Sequence, residues 1–181
     1  FDNTANYLGH YQTTGQEIWE QTNGNIDGFI CSSGTGGTIA GVGKALKEKN
    51  KNIKIYLSDP KGSALYNHIK YNELKIEGNS ITEGIGSSRI TSNFKEATID
   101  DAYQIDDKEA LLEIYKLIEN EGFSLGISTG INIVGAIKMA KEMGPGKNIV
   151  TILCDRSDMY NSKLFNKDFL NSKNLPIPNW I

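Results

Sequence analysis

The sequence predicts a doubly wound α/β fold, in which a mostly parallel sheet is flanked by helices. The run "IVTIL" at residues 149–153 is apolar without alternation, as expected for a strand buried on both faces of a parallel sheet. The runs at 26–31 and 53–57 have the same character. Helix-period segments separate these runs, and strands alternating with helices through short connections are typical of this fold.

Three segments carry apolar residues at helical spacing and are expected to pack one stripe each on the sheet. Their apolar positions are 39, 42, 43 and 46, then 111, 114, 115 and 118, and then 133, 136, 137 and 140. In the second segment Asp106 precedes Glu109 by three residues, as in a capping box, and Gly122 is the expected stop. The run "MGPGK" at 143–147 ends the third segment.

A long segment from Gly62 to Thr98 is polar, rich in glycine and serine, and without clear periodicity. Irregular segments of this length inside a compact domain are usually functional or mobile. We expect a functional or mobile loop here.

Length and composition argue against several classes of function. With 181 residues, the chain fits one domain, so residues 1–181 are expected to form a single α/β unit. No run approaches the roughly 20 apolar residues of a membrane span, and a net charge of -3 makes nucleic acid a poor partner. Cys31 and Cys154 are expected to be reduced core thiols, which favours a cytoplasmic setting. His10 and His68 are too few and too separated for a metal site.

The stretch "SSGTGGT" at residues 32–38 lies between a predicted strand and a predicted helix. In an open α/β sheet, ligands bind beyond the carboxyl ends of the strands, where helix N-termini present free N–H groups. The glycines permit close backbone approach and the hydroxyls add donors, a combination that suits a phosphate dianion. No Gly-Lys-Ser/Thr follows, and Ile39 replaces the last glycine of G-x-G-x-x-G, so a single terminal phosphate is favoured over a dinucleotide. A tight turn without a ligand is the alternative.

Several motifs in a fixed order resemble one enzyme family. They are "FDNTAN" at 1–6, "HYQTTGQEIW" at 10–19 and "GTGGT" at 34–38, followed by "SDPKGSALY", "EGIGSSRI", "GISTG" and "VTILCDRSDMYNSKLF". The sequence is similar to the fold type II pyridoxal-phosphate enzymes of the tryptophan-synthase-β type, specifically cysteine synthase (O-acetylserine sulfhydrylase) and cystathionine β-synthase. Thr4 stands where the family has proline, which affects only a local turn.

The resemblance implies pyridoxal 5'-phosphate as cofactor and gives several residues a role. Those implied to hold its phosphate are Gly34, Thr35, Gly36, Gly37 and Thr38. Ser128 is implied to hydrogen-bond the pyridine nitrogen, with helix capping as the alternative explanation of this serine. The loop implied to lie on the substrate side comprises Glu83, Gly84, Ile85 and Gly86.

The family's motif around the Schiff-base lysine, and its loop for the substrate carboxylate, do not occur in the sequence. The chain therefore resembles the C-terminal half of an enzyme, with the N-terminal part that bears the lysine absent, and no catalytic residue is assigned. We expect the polypeptide alone to lack full activity. Lys163 and Lys173 each follow Asn-Ser in the C-terminal region, outside such a motif, and are expected to be surface lysines.

For the parent enzyme the resemblance implies β-replacement, a transferase reaction in cysteine biosynthesis. Acetate is eliminated from O-acetyl-L-serine and sulfide adds to give L-cysteine, so the partners are a small amino-acid substrate and a sulfur donor. A homodimer is implied as well. Cystathionine β-synthase activity is one alternative. A non-catalytic phosphate- or nucleotide-binding module is another, with Asp59 in the place of a ribose-binding acid. A structural or interaction fragment is a third.

Overall fold

A four-stranded parallel sheet forms the centre of the fold. The computed structural model describes residues 1–181, and its strands are β1 (Gly28–Cys31), β2 (Lys54–Pro60), β3 (Asp101–Ile105) and β4 (Ile149–Thr151). Their spatial order is β3-β2-β1-β4, and every neighbouring pair is parallel. The predicted fold class, a mostly parallel sheet flanked by helices, is confirmed.

Nine α-helices surround the sheet. They are α1 (Ala5–Gln12), α2 (Thr14–Gln21), α3 (Gly37–Lys49), α4 (Leu65–Tyr71), α5 (Ser92–Lys95), α6 (Asp107–Glu121), α7 (Ile127–Met143), α8 (Asn161–Leu164) and α9 (Lys167–Ser172). A single 3-10 turn spans Ser157–Tyr160. None of the helices combines the length and the apolar character that a membrane span requires.

The two central strands are buried on both faces, as their unbroken apolar runs predict. The same prediction for the run at 149–153 is wrong, because β4 is an edge strand of intermediate burial and Leu153 is 52% exposed. Phe29 of β1 and Leu57 of β2 belong to a cluster that contains Ile39, Val42 and Leu46 of α3. Their neighbours in the same strands, Ile30 and Tyr56, pack with Met139 of α7 on the other face. Because successive side chains of a strand point to opposite faces, α3 and α7 lie on opposite sides of the sheet.

The predicted helix boundaries of α6 and α7 agree with the structure. Asp106 accepts a hydrogen bond from the backbone N–H of Lys108, and with Glu109 it completes a capping box. Gly122 ends α6 with φ of 71°, and α7 ends at Met143 before Gly144 with φ of 83°. Both stops use a positive φ, which glycine adopts at low cost.

The path of the chain through the sheet creates a switch point between β1 and β4. From β1 the chain moves outward to β2 and β3, and after α6 and α7 it returns to pair β4 with the other edge of β1. Ligands of open α/β sheets bind in the crevice beyond the carboxyl ends of the strands at such a reversal. The topology therefore indicates a ligand site at the residues that follow Cys31 and Thr151.

Candidate cofactor site

A cleft of about 250 Å³ lies at this switch point. It is lined by Cys31, Ser32, Gly34, Thr35, Thr38, Gly84, Ile85, Asn132, Ile152 and Cys154. The lining therefore combines the ends of β1 and β4, the glycine-rich turn, and the loop around Gly84. Its volume is slightly below the about 300–1,000 Å³ of typical small-molecule pockets.

Asn132 of α7 holds the carboxyl ends of β1 and β4 in place. Its side-chain oxygen accepts a hydrogen bond from the N–H of Ser32 at 2.7 Å, and its amide donates to the Ile152 carbonyl at 2.8 Å. The side chain is fully buried. Sequence reasoning missed this residue, although a polar side chain inside the apolar run "INIVGAI" was a usable signal.

Close approaches explain the glycines of the turn. A Cβ built on Gly34 would overlap the Gly84 carbonyl oxygen, so the turn and the loop touch backbone to backbone. Gly36 has φ of 88°, and a Cβ there would lie 2.7 Å from the backbone nitrogen of Phe94. A larger residue at either position would push the turn away from its neighbours.

The two threonines of the turn are held by side chains from α1. Thr35 Oγ1 accepts a hydrogen bond from the Asn6 amide at 3.1 Å. Thr38 Oγ1 lies 3.2 Å from His10 Nε2, and the other ring nitrogen of His10 lies 3.0 Å from Thr14 Oγ1. Burial lowers the pKa of His10, which favours a neutral imidazole beside Thr38.

Ser128 lies in the first turn of α7 and has an unused hydroxyl group. The residue is 6% exposed and its Oγ has no hydrogen-bond partner. It does not cap the helix, because the N-cap position is Gly126. Ser128 does not itself line the cleft, but its hydroxyl lies against the Cys154 thiol, which does, and it offsets part of the rise that burial causes in the pKa of that thiol. A buried polar atom without a partner is rare, and a ligand at the cleft would give it one.

The structure brings together some of the residues assigned to the substrate-side loop and separates others. Gly84 and Ile85 line the cleft. Glu83 forms an ion pair with Lys163, and Gly86 donates its N–H to the Ser33 carbonyl at 2.8 Å. The expectation that Lys163 is a plain surface lysine is wrong, since its side chain is only 23% exposed and reaches this loop.

The cysteines and Asp59 do not form a second reactive centre. Cys31 is buried and its pKa is raised by burial. The expectation of a core thiol is wrong for Cys154, which is exposed at the cleft, although partial burial raises its pKa. Asp59 is fully buried, and its Oδ2 accepts the N–H of Tyr66 at 2.8 Å. Since Asp59 is turned into the protein, it is not placed to bind a ribose.

Comparison with known proteins identifies the family. The family model described as pyridoxal-phosphate dependent enzyme matches residues 1–155. A cysteine synthase of Dictyostelium discoideum is 41% identical over 98% of this chain and 50% of its own length. Cysteine synthase 1 of Emericella nidulans is 44% identical over 97% of this chain and 49% of its own length.

Solved structures show the same architecture. The O-acetylserine dependent cystathionine beta-synthase of Helicobacter pylori matches 90% of this chain and 51% of its own with a TM-score of 0.82, at 32% identity. O-Acetyl Serine Sulfhydrylase isoform 3 of Entamoeba histolytica matches 92% and 48% with a TM-score of 0.81, also at 32% identity. The chain thus spans about half the length of the relatives it matches. From the matched residues and the shared fold, the chain belongs to the family of pyridoxal-phosphate dependent enzymes.

Proposed function

We propose that this chain supplies the phosphate and ring-nitrogen contacts of a pyridoxal-phosphate site for β-replacement, which makes L-cysteine from O-acetyl-L-serine and sulfide. The observation that carries the proposal is the cleft at the switch point, with the glycine-rich turn on one side and the unpartnered Ser128 hydroxyl close by. The cysteine synthases among the relatives support this choice of reaction.

The phosphate is assigned to the turn at residues 34–38. The first turn of α3 starts there with Gly36 at the N-cap and only a long contact of 3.4 Å from the Gly37 N–H to Thr35 Oγ1, so its N–H groups and the helix dipole favour an anion. Thr35 and Thr38 add hydroxyl groups whose positions are fixed by Asn6 and His10. These contacts give a terminal phosphate several donors without a lysine.

Ser128 is assigned to the pyridine nitrogen. Pyridoxal phosphate supplies a ring that withdraws electrons from the substrate's α-carbon when it is bound. A serine hydroxyl stabilises a protonated ring nitrogen less than a carboxylate does, so Ser128 leaves the ring a weaker electron sink. This tuning suits loss of a leaving group from the β-carbon.

The chain's own residues bind and orient, and we assign none of them to proton transfer at the substrate. The lysine that removes the α proton in this family has no matching motif here. The 181-residue chain is therefore expected to make no cysteine from O-acetylserine and sulfide on its own, and measurable turnover by the purified chain would contradict this expectation.

A second candidate activity differs from the first only in the nucleophile that replaces acetate. One structural neighbour and one relative are O-acetylserine dependent cystathionine beta-synthases, of Helicobacter pylori and Bacillus subtilis. Turnover with sulfide and with homocysteine, measured on a protein that contains this chain and the family's N-terminal half, separates the two activities.

The binding proposal is tested on the chain itself by calorimetry. Pyridoxamine 5'-phosphate is the probe, since it lacks the aldehyde that would react with surface lysines. We expect saturable binding that Thr38→Ala and Ser128→Ala each weaken about fivefold or more, the effect of one lost hydrogen bond of about 1 kcal/mol. Ser162→Ala, at an exposed hydroxyl on α8, is the matched control. Equal affinity for all four proteins would contradict the assignment.

A further inference from the structure

The loop that covers the glycine-rich turn is held in place by charged residues from two distant parts of the chain. Its segment Ser80 to Gly84 has no helix or strand of its own. The segment nevertheless keeps the Gly84 carbonyl against Gly34 and contributes Gly84 to the cleft. Residues outside the segment must hold it there, because an irregular segment that ends in an unconfined glycine has little stiffness of its own.

Asp107, at the start of α6, provides the first attachment. Its carboxylate accepts hydrogen bonds from the Ser80 hydroxyl at 2.5 Å and from the N–H of Ile81 at 2.8 Å. Asp107 is 9% exposed, so both bonds are largely shielded from water. This attachment fixes the beginning of the segment.

Lys163, on α8, provides the second attachment. Its ammonium group donates a hydrogen bond to the Ile81 carbonyl at 2.9 Å and forms an ion pair with the Glu83 carboxylate. The Lys163 side chain is 23% exposed, whereas that of Glu83 is 59% exposed. The lysine is thus the anchored partner, and it reaches a segment 82 residues earlier in the sequence.

The two attachments lie immediately before Gly84. Gly84 has φ of 73° and a Cβ on it would meet nothing within 4 Å, so the chain is not wedged at this residue. Beyond it, the Gly86 N–H to Ser33 carbonyl bond ties the loop directly to the turn. The position of Gly84 over Gly34 therefore depends on the contacts that precede and follow it.

We propose that Lys163 is a positioning residue, which holds the loop at 80–86 over the glycine-rich turn through Ile81 and Glu83 and so shapes the cofactor cleft. The structural part of this inference stands on the contacts alone. Its consequence for ligand affinity rests on the function proposed above.

Amide hydrogen exchange of the 181-residue chain tests the structural part without any ligand. We expect Lys163→Met to speed exchange of the hydrogen-bonded amides of Ile81 and Gly86 about tenfold, as loss of a charged hydrogen bond implies. Lys163→Arg should restore most of the protection. Glu83→Gln, at a side chain that is 59% exposed, should give a smaller increase at the same amides.

Lys167→Met is the matched control, because Lys167 is an exposed lysine on α9, whereas Lys173 lines a cavity together with Ile81 and Asp107. It should leave exchange at Ile81 and Gly86 unchanged, and no variant should alter exchange in the central strands. Unchanged exchange at both amides in Lys163→Met and Glu83→Gln overturns the proposal. An equal increase in Lys167→Met, or a uniform increase over the whole chain, overturns it as well.

Binding of pyridoxamine 5'-phosphate to the same variants tests the consequence for the cleft. We expect Lys163→Met to weaken binding several-fold and Lys163→Arg to restore it. If the unaltered chain binds no pyridoxamine 5'-phosphate, the proposed function fails, whereas the positioning role is still decided by the exchange data. If Lys163→Met binds as tightly as the unaltered chain, the link between the loop and the cleft is wrong.

Discussion

Replacement of Gly36 by alanine tests how tightly the glycine-rich turn is built into the fold. Two separate costs are expected. The backbone at Gly36 has φ of 88°, which costs an L-residue with a side chain about 1–2 kcal/mol. The added Cβ would also lie 2.7 Å from three atoms of Phe94, two of them backbone atoms. Overpacking of this kind costs about 1–3 kcal/mol.

The sum predicts that Gly36→Ala lowers the free energy of unfolding by about 2–5 kcal/mol. Gly122→Ala is the matched control, because Gly122 has φ of 71° but open space around its Cβ position. The control should lose only the backbone contribution, about 1–2 kcal/mol. The difference between the two variants isolates the contact with Phe94.

Urea unfolding of both variants, followed by circular dichroism, measures this difference. The midpoint for Gly36→Ala should lie below that for Gly122→Ala, with similar slopes. If the two variants lose equal stability, the turn is not packed against α5 as described. If Gly36→Ala is as stable as the unaltered chain, the left-handed conformation of the turn is also refuted.

Further predictions concern pH, a helix cap and the thiols. Burial raises the pKa of Asp59 in the folded chain to about 7, whereas an aspartate of the unfolded chain ionises near pH 4. Because only the unfolded chain gains from this ionisation between these values, the free energy of unfolding falls from about pH 4 to pH 7. Asp59→Asn should therefore gain stability relative to the unaltered chain as pH rises, and a constant difference in urea midpoints would contradict this. Asp106→Ala should lose about 1 kcal/mol by removing the cap of α6, whereas Asp168→Ala, in the first turn of α9, should lose less in the same unfolding assay. In a thiol-reagent titration of the folded chain, Cys154 should react while Cys31 reacts only after unfolding, and pyridoxamine 5'-phosphate should slow the reaction of Cys154. Rapid reaction of both thiols would show that the cleft is more open than described.

Local rules predicted the central part of the fold. Apolar runs marked β1, β2 and β4, and the capping residues Asp106 and Gly122 fixed the ends of α6 because caps depend on near neighbours. Strand β3, "DAYQI", was missed because its acidic and polar residues hide a strand that is only partly buried. Helix α4 was missed because seven residues with asparagine and histidine give too short a periodic signal.

For the site as well, the sequence predicted local features but not tertiary contacts. The glycine-rich turn could be found because its glycines and hydroxyls are consecutive in the sequence. Lys163 could not be found, because its contacts with Ile81 and Glu83 depend on how α8 folds back on the loop. Asn132 likewise acts by bridging the ends of two strands that are far apart in the sequence. Such roles depend on tertiary packing, which the local spacing of residues in the sequence does not reveal.

The assignment of the phosphate to the turn is tested most directly by NMR of the amide groups during a titration. Pyridoxamine 5'-phosphate should shift the amides of residues 34–38 and Ser128 with one saturating curve, while pyridoxamine, which lacks the phosphate, should leave residues 34–38 unchanged. The contrary result would be shifts centred elsewhere, for example on the cavity of about 400 Å³ between residues 60–63 and 78–88. Equal shifts with both compounds would equally contradict a phosphate site in the glycine-rich turn.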